Sequence, residues 1–312
     1  MDFSNILNIA LLFSLVLGLG ALSGFFSERV GIVNIGINGM MTFGALFYCI
    51  YGGLINGGNA GFKGGTAGDG TFLIPMILAS ASTILVGLLF GFAVVKLKAN
   101  HIIAGTAINL LGASFGIFLN SSLGFSILGV EELRNSYTQT LKIGDTNLFG
   151  STLILFFLIG FVVLGIWLFI KYTKFGLRFI SIGENPYAAD VQGINVIKYQ
   201  WVGIIISAAM AGLAGSIFMY NSTSFRGDVD SLGFLSLAIM IAGAWRIPLI
   251  SLVTIVFAFL VSISRQNIPD VSSDLLLILP YAFTLLTLVV FSFFSFGNPP
   301  KHAGQHFAHE KI

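Results

Sequence analysis

The sequence predicts an all-α, polytopic helical membrane protein with about nine membrane segments. Hydrophobic residues make up 56% of the 312 residues and charged residues only 9%, and the mean hydropathy is +0.94. Uncharged runs of about eighteen or more residues recur along the chain, and each is long enough to cross about 30 Å of hydrocarbon as a helix. A β-barrel would show short segments of alternating hydrophobicity instead.

Nine runs fit the length of a membrane segment. The first is expected to be an uncleaved span, because no basic region precedes it and no small-residue cleavage site follows it. Almost no turn separates the seventh from the eighth, so either both cross or one is re-entrant, which is tolerated where protein surrounds the segment. The nine predicted segments are residues 6–24, 31–54, 72–95, 102–124, 149–170, 200–220, 229–245, 247–263 and 275–296.

The distribution of basic residues orients these segments in the cell membrane. With the N-terminus outside, the cytoplasmic segments hold ten of the fifteen Lys and Arg residues, as the positive-inside rule requires. Residues 1–312 then form a single transmembrane domain with a cytoplasmic loop at 171–199 and a cytoplasmic tail at 297–312. The other cytoplasmic segments are residues 25–30, residues 96–101 and the turn at Arg246.

Several kinds of site are excluded by what the sequence lacks. The Gly-rich loop 55–71 is no phosphate-binding loop, because Gly64 follows Lys63 where that motif needs Ser or Thr. We find no arrangement of carboxylates, or of Ser or Cys with His, that would make the chain an enzyme, and we expect no cofactor and no metal site. A net charge of +2 suggests no nucleic-acid partner. Any ATPase that drives this protein must therefore be another polypeptide.

Titratable groups are scarce in the predicted spans. Asp230, at the outer edge of a span, is the only acid in them, which argues against a proton-coupled carrier because such carriers relay protons through buried carboxylates or histidines. His101, close to Lys98, is expected to be a solvated or snorkelling residue at the membrane interface. The histidines at 302, 306 and 309 are expected to lie in a solvated, frayed terminus rather than in a metal site.

The loop at 171–199 contains the signals of one short helix. Asn185 can cap it, because its side-chain oxygen can accept an N–H of the first turn, and Pro186 suits the first helical position, where no donor is needed. Residues 187–192 continue the helix, and Gly193 can end it in the left-handed conformation. A two-turn helix held in the cytosol between two spans is an element that a soluble partner can grip. The small side chains of Ala188 and Ala189 would let a groove in that partner close around it.

Three of the amides within the predicted spans are candidates for the lining of a translocation path. Asn34 and Asn38 are four residues apart and would share one face of a helix, and Asn109 lies in another span. An amide inside a membrane must pair, so each is expected to face protein or a water-filled path. Both alternatives, hydrogen bonding between helices and contact with the transported solute, remain open.

The loop sequence GENPYAADVQGI at 183–194 resembles the coupling segment of bacterial ABC-importer permeases for branched-chain amino acids, simple sugars and nucleosides. The stretches SERVGIVNIGINGMMTFGALF, IIAGTAINLLGASF and NPPKHAGQHF are most similar to the shorter permease of nucleoside importers that use a receptor lipoprotein of the basic-membrane-protein type. The resemblance covers nearly the whole chain. Where such permeases usually carry a Glu, this chain has Asn38, so a charged role does not transfer to that position.

The resemblance implies a permease domain that pairs with a second permease, an ABC ATPase subunit and a substrate-binding lipoprotein in the lipid bilayer. It also adds Glu184 and Asp190, which belong to the motif, to the residues expected to couple to the ATPase. The alternative is a self-sufficient secondary carrier or channel for a small polar solute, in which the loop 171–199 is only a connector.

Overall fold

The computed structural model describes residues 3–56, 72–120, 133–134, 137, 150–222, 224–266, 272–293 and 299–307. The helices of these residues pack as a bundle, and α3 is extended by a π-helical turn at Phe92–Lys96. In chain order the α-helices are α1 (Phe3–Glu28), α2 (Ile37–Ile55), α3 (Leu73–Gly91), α4 (His101–Leu119), α5 (Gly150–Tyr172), α6 (Lys174–Glu184), α7 (Pro186–Val191), α8 (Val196–Asn221), α9 (Leu232–Ala242), α10 (Ile247–Ser264) and α11 (Ser273–Phe293).

Seven of the described helices are long and apolar enough to cross a membrane, namely α1 to α5, α8 and α10. The all-helical, multi-pass architecture predicted from the sequence is thereby confirmed, whereas the count of about nine segments is not. The predicted segment 229–245 contains only the 11 residues of α9, which at about 1.5 Å per residue reach only about half-way across the hydrocarbon.

Helices α1 and α8 form the centre of the bundle. Helix α1 packs against α8, α9 and α10, and α8 packs against α2 and α3. Glycines permit the closest approaches: a Cβ atom on Gly44 would overlap the backbone of Gly212, and one on Gly215 would overlap the backbone of Met41. Small residues at these crossings let backbones touch within a membrane, where no hydrophobic force drives helices together.

Helices α2 and α9 both begin inside the bundle rather than at its end. Gly20, eight residues and therefore about 12 Å before the end of α1, lies against the side chains of Ser236 in α9 and Met41 in α2. The expectation that Asn34 and Asn38 share one helical face is wrong, because α2 starts only at Ile37. The Asn34 side chain instead accepts the N–H of Gly36 at 3.0 Å, a local turn that competes with the helix.

The segments assigned to the cytoplasm lie together at one end of the bundle. The end of α1, the start of α4, the loop with α6 and α7, the turn before α10 and the tail are joined there by hydrogen bonds and ring contacts. Towards the opposite end, the Arg265 side chain that follows α10 donates to Asp230 of the segment 224–231. Much of α4, α5 and α10 exposes large apolar side chains, which suits contact with lipid.

Candidate functional site

The short helix α7 has the end structures that its sequence predicts. The Asn185 side chain accepts the N–H of Ala188 at 3.0 Å, and Pro186 occupies the first turn. At the other end Gly193 has a φ of +79°. Its N–H donates to the carbonyl of Asp190 at 2.8 Å, and the next N–H, of residue 194, donates to residue 189 at 3.1 Å. This pair of bonds is a Schellman motif, which ends a helix sharply.

One face of α7 packs onto the protein. Pro186 is buried, Ala189 is 3% exposed and Asp190 is half-buried. Ala189 therefore packs α7 against the rest of the protein and does not belong to a surface that a partner could contact.

The other face of α7 is open and partly apolar. Val191 is 90% exposed and Tyr187 is 44% exposed, and Ala188 between them is exposed as well. An aliphatic side chain so fully exposed on a polar loop makes little contact with its own chain. This apolar surface on a capped helix suits contact with another protein.

A polar cluster fixes the segment before α7 to the turn before α10. Glu184 forms an ion pair with Arg29 at 3.6 Å, and Arg29 donates to the carbonyl of Trp245 at 2.6 Å. The Trp245 indole N–H donates to the buried carboxylate of Glu28 at 2.6 Å. Burial lowers the pKa of Arg29, an effect that Glu184 opposes. The cluster thereby connects the end of α6 to the end of α1 and to the turn that follows α9.

The described part of the tail, residues 299–307, docks on this end of the bundle. The N–H of His302 donates to the carbonyl of Gly183 at 3.0 Å. The Tyr187 ring lies 5.6 Å from the His302 ring and 5.3 Å from the Phe307 ring. Burial lowers the pKa of His302. The expectation of a solvated, frayed terminus is wrong for these residues, because backbone bonds and aromatic contacts hold them; His309 lies outside the described residues.

The tail also reaches the segment before α2. The N–H of Gly304 donates to the carbonyl of Gly31 at 3.0 Å, and the rings of His306 and His101 lie 4.9 Å apart. His101 is buried, and its Nδ1 accepts the N–H of Val33 at 3.3 Å. The expectation of a solvated His101 is therefore also wrong, because the tail covers it.

A second polar centre lies where the beginnings of α2 and α9 meet. The Asp228 Oδ1 accepts the Nδ2–H of Asn38 at 3.0 Å and lies 3.1 Å from the hydroxyl of Thr42. The Asp228 Oδ2 accepts the N–H of Ser231 at 3.3 Å. In return, the Asn38 Oδ1 accepts the N–H of Gly233 at 3.1 Å. A carboxylate at helix N-termini is electrostatically favourable, since the helix dipole is positive there.

The other two candidate amides pair within the protein. Asn34 is fully buried and donates to the hydroxyl of Ser207 at 3.2 Å. Asn109 accepts the N–H of Gly39 at 2.7 Å and donates to the carbonyl of Ile35 at 3.0 Å. Both amides tie the start of α2 to neighbouring helices.

A polar cavity of about 270 Å³ lies next to Asp228, on the side of the bundle away from α7. At its rim Arg265 pairs with Asp230 at 2.8 Å and lies over the Phe13 ring at 4.6 Å. The cavity combines aromatic rings with amide, hydroxyl and charged groups, and besides those three residues its lining comprises Phe218, Asn221, Ser222, Ser224, Arg226 and Asp228.

Sequence reasoning missed Val191 and Asp228. Val191 had a signal, because it is the one branched aliphatic residue of the short helix and follows a polar one. Asp228 had a weaker signal, the alternation Arg226, Asp228, Asp230 just before an apolar run. Treating that run as a span placed Asp228 outside the membrane, whereas α9 begins deep within the bundle.

Comparison with known proteins identifies the family. Residues 5–291 match the family described as branched-chain amino acid transport system / permease component. The uncharacterized protein MG121 of Mycoplasma genitalium is 38% identical over 93% of this chain and 92% of its own length. The nucleoside ABC transporter permease protein NupC of Lactococcus lactis is 33% identical over 90% of each chain. The guanosine ABC transporter permease protein NupQ of Bacillus subtilis is 30% identical over 97% of this chain and 98% of its own.

No solved structure matches the chain. The family match spans most of the sequence and agrees with an architecture of many apolar helices. The chain therefore belongs to the family of permease components of branched-chain amino acid transport systems, as a multi-pass protein of the plasma membrane.

Proposed function

We propose that this permease is the membrane-spanning subunit of an ATP-driven importer of nucleosides. Two relatives that align over at least nine-tenths of the chain are named nucleoside and guanosine ABC transporter permeases, which supports this substrate class. The chain forms the translocation path, works with a substrate-binding lipoprotein and a second permease, and takes its energy from an ABC ATPase on another polypeptide.

The observation that carries the proposal is the open apolar face of α7. The coupling residues are Glu184, Asn185, Pro186, Ala188, Ala189, Asp190 and Gly193, to which Val191 and Tyr187 are added. In this assignment the caps and the Glu184 ion pair set the position of α7, while Val191, Tyr187 and Ala188 enter a groove of the ATPase. Burial of an exposed Val side chain contributes about 1.5–3 kcal/mol to such contact.

The remaining topology follows from the same assignment. Helix α9 is the re-entrant segment. Together with α11 and the seven long apolar helices it makes up the nine membrane segments. The three amides Asn34, Asn38 and Asn109 remain candidates for the polar lining of the path. They differ in the hydrogen-bond partners that hold them. Asn38 is bonded to the carboxylate that faces the outer cavity, whereas Asn34 and Asn109 are engaged within the bundle.

The experiment replaces Val191 by Asp in cells that lack the native gene and measures uptake of labelled nucleosides, pentoses and branched-chain amino acids. We expect nucleoside uptake with the native sequence. Since Val191 is 90% exposed, Val191→Asp should leave the amount of protein in the membrane unchanged while reducing uptake at least about tenfold, because an unpaired charge would be desolvated in the partner groove.

Val191→Ile serves as the control and should retain uptake. Normal nucleoside uptake by Val191→Asp would show that 171–199 is a connector, as the alternative of a self-sufficient carrier or channel requires. Uptake of pentoses or amino acids without nucleosides would contradict the proposed substrate class alone.

A further inference from the structure

The outer cavity and the broken helices α2 and α9 share one group, the side chain of Asp228. It is one of the two acidic side chains that line the cavity, and it is also bonded to the first turn of α2 and to the residue before α9. The other acid of the cavity, Asp230, is paired with Arg265 at the rim. The two carboxylates therefore differ in their capacity to accept hydrogen bonds from a solute.

The Asp228 carboxylate retains acceptor capacity. Each carboxylate oxygen can accept about two hydrogen bonds. Oδ2 has one described protein donor, the N–H of Ser231 at the long distance of 3.3 Å. On Oδ1 the Thr42 contact is shared, because the same hydroxyl lies 2.9 Å from the Asn38 carbonyl and carries a single proton. Asp228 is half-buried, so a solute in the cavity can reach it.

We infer that Asp228 is the hydroxyl-recognition group of the permease, accepting hydrogen bonds from the vicinal hydroxyls of a ribose in the outer cavity. The inference rests on the proposed function and names the part of the nucleoside that this site reads. Two hydroxyl donors suit a carboxylate with two acceptor oxygens, and bonds to an ionised acceptor are about twice as strong as neutral ones. The rings of Phe13 and Phe218 and the amide of Asn221 line the same cavity, which suits a base with an apolar face and polar edges.

Because Asp228 is bonded to the starts of α2 and α9, binding of a solute to its carboxylate also affects the contact between these two helices. A hydroxyl that bonds to Oδ1 shares that oxygen with Asn38 and Thr42, and one that bonds to Oδ2 shares that oxygen with Ser231. Each added bond draws electron density from the carboxylate oxygen and so weakens its bonds to the starts of α2 and α9. The occupied cavity thereby favours an arrangement in which these two helix starts separate, which is the movement that opens a path between discontinuous helices.

The test compares Asp228→Asn with the matched control Asp230→Asn in the complete importer reconstituted in liposomes. Uptake of a ribonucleoside is divided by uptake of its 2′,3′-dideoxy analogue, both at saturating receptor protein. The selectivity of the receptor cancels when the ratio of a variant is divided by the ratio of the native permease. We expect Asp228→Asn to lower this ratio about tenfold, because bonds to a charged acceptor become bonds to a neutral amide. Asp230→Asn should leave the ratio within about twofold.

Asp228→Glu covers the case in which Asp228→Asn fails to accumulate. It keeps the charge beside α9 and displaces the carboxylate by one methylene, so the ratio should fall at least about threefold. An unchanged ratio in the Asp228 variant that accumulates, with normal import of nucleosides, overturns the inference and leaves the proposed function intact. An equal fall of the ratio in Asp230→Asn also overturns it, because recognition would not be specific to Asp228. Absence of nucleoside import by the native complex overturns the proposed function itself.

Discussion

The variant Asn109→Leu tests whether the Asn109 amide stabilises the fold or lines the translocation path. Leu has the branched shape and the number of side-chain heavy atoms of Asn, but it can neither accept the N–H of Gly39, which lies at 2.7 Å from Asn109, nor donate to the carbonyl of Ile35, which lies at 3.0 Å. Gly39 is buried and Ile35 half-buried. Each orphaned backbone group costs about 1–3 kcal/mol, so the two together should destabilise the folded permease by about 2–6 kcal/mol.

The assay is thermal unfolding of the purified permease in detergent, together with its amount in the membrane. We expect a lower unfolding temperature and less protein, but normal uptake per molecule that remains. Thr106→Val, one turn earlier on α4, is the control, because the exposed Thr106 hydroxyl bonds only to its own helix. An unchanged unfolding temperature for Asn109→Leu with reduced uptake per molecule would refute this reasoning and indicate that Asn109 lines the translocation path.

Three further predictions concern packing and the tail. Gly44→Leu should abolish folding, since even a Cβ atom there overlaps the backbone of α8, whereas Gly160→Leu, with no atom within 4 Å of its Cβ position, should be tolerated; equal membrane levels would contradict this. Trp245→Phe removes the donor to the buried Glu28 carboxylate and should destabilise the protein by about 1–3 kcal/mol in thermal unfolding; no shift would mean that this bond is dispensable. Burial lowers the pKa of docked His302 from 6.5, so docking of the tail should be full above about pH 6.5 and weaken below it; hydrogen exchange of residues 299–307 that does not increase between about pH 7.5 and pH 5.5 would argue against this.

Local signals made α7 predictable from the sequence. Asn185, Pro186 and Gly193 act on their immediate neighbours through a side-chain cap, a missing N–H and a positive φ, so their effect needs no tertiary information. The helical, membrane-spanning class is equally local, because it depends on the length of apolar runs.

The features that sequence reasoning missed depend on contacts between distant parts of the chain. The tail docks through the backbone carbonyls of Gly183 and Gly31. Every residue has such a carbonyl, so the sequence does not indicate which ones accept the bonds of the tail. Helix α9 begins inside the bundle because residues 224–231 precede it there without forming a helix, and hydropathy counts such a segment as part of a span. Hydropathy placed Asn34 within a span, but its bonds to Gly36 and Ser207 hold it before α2.

Cross-linking of α7 to the ATPase tests most directly the claim that this permease is coupled to a separate motor. Cys49 is the single cysteine of the chain and is buried, so a cysteine introduced at Val191 can be labelled selectively. In membranes that contain the whole importer, Val191→Cys should form a cross-link of short span to the ATPase subunit, and the yield should change when ATP is added. Ala189→Cys, three per cent exposed at the native residue, should not. A Val191→Cys permease that is labelled from the cytosol and imports nucleosides, yet forms no cross-link to the ATPase, would contradict the account.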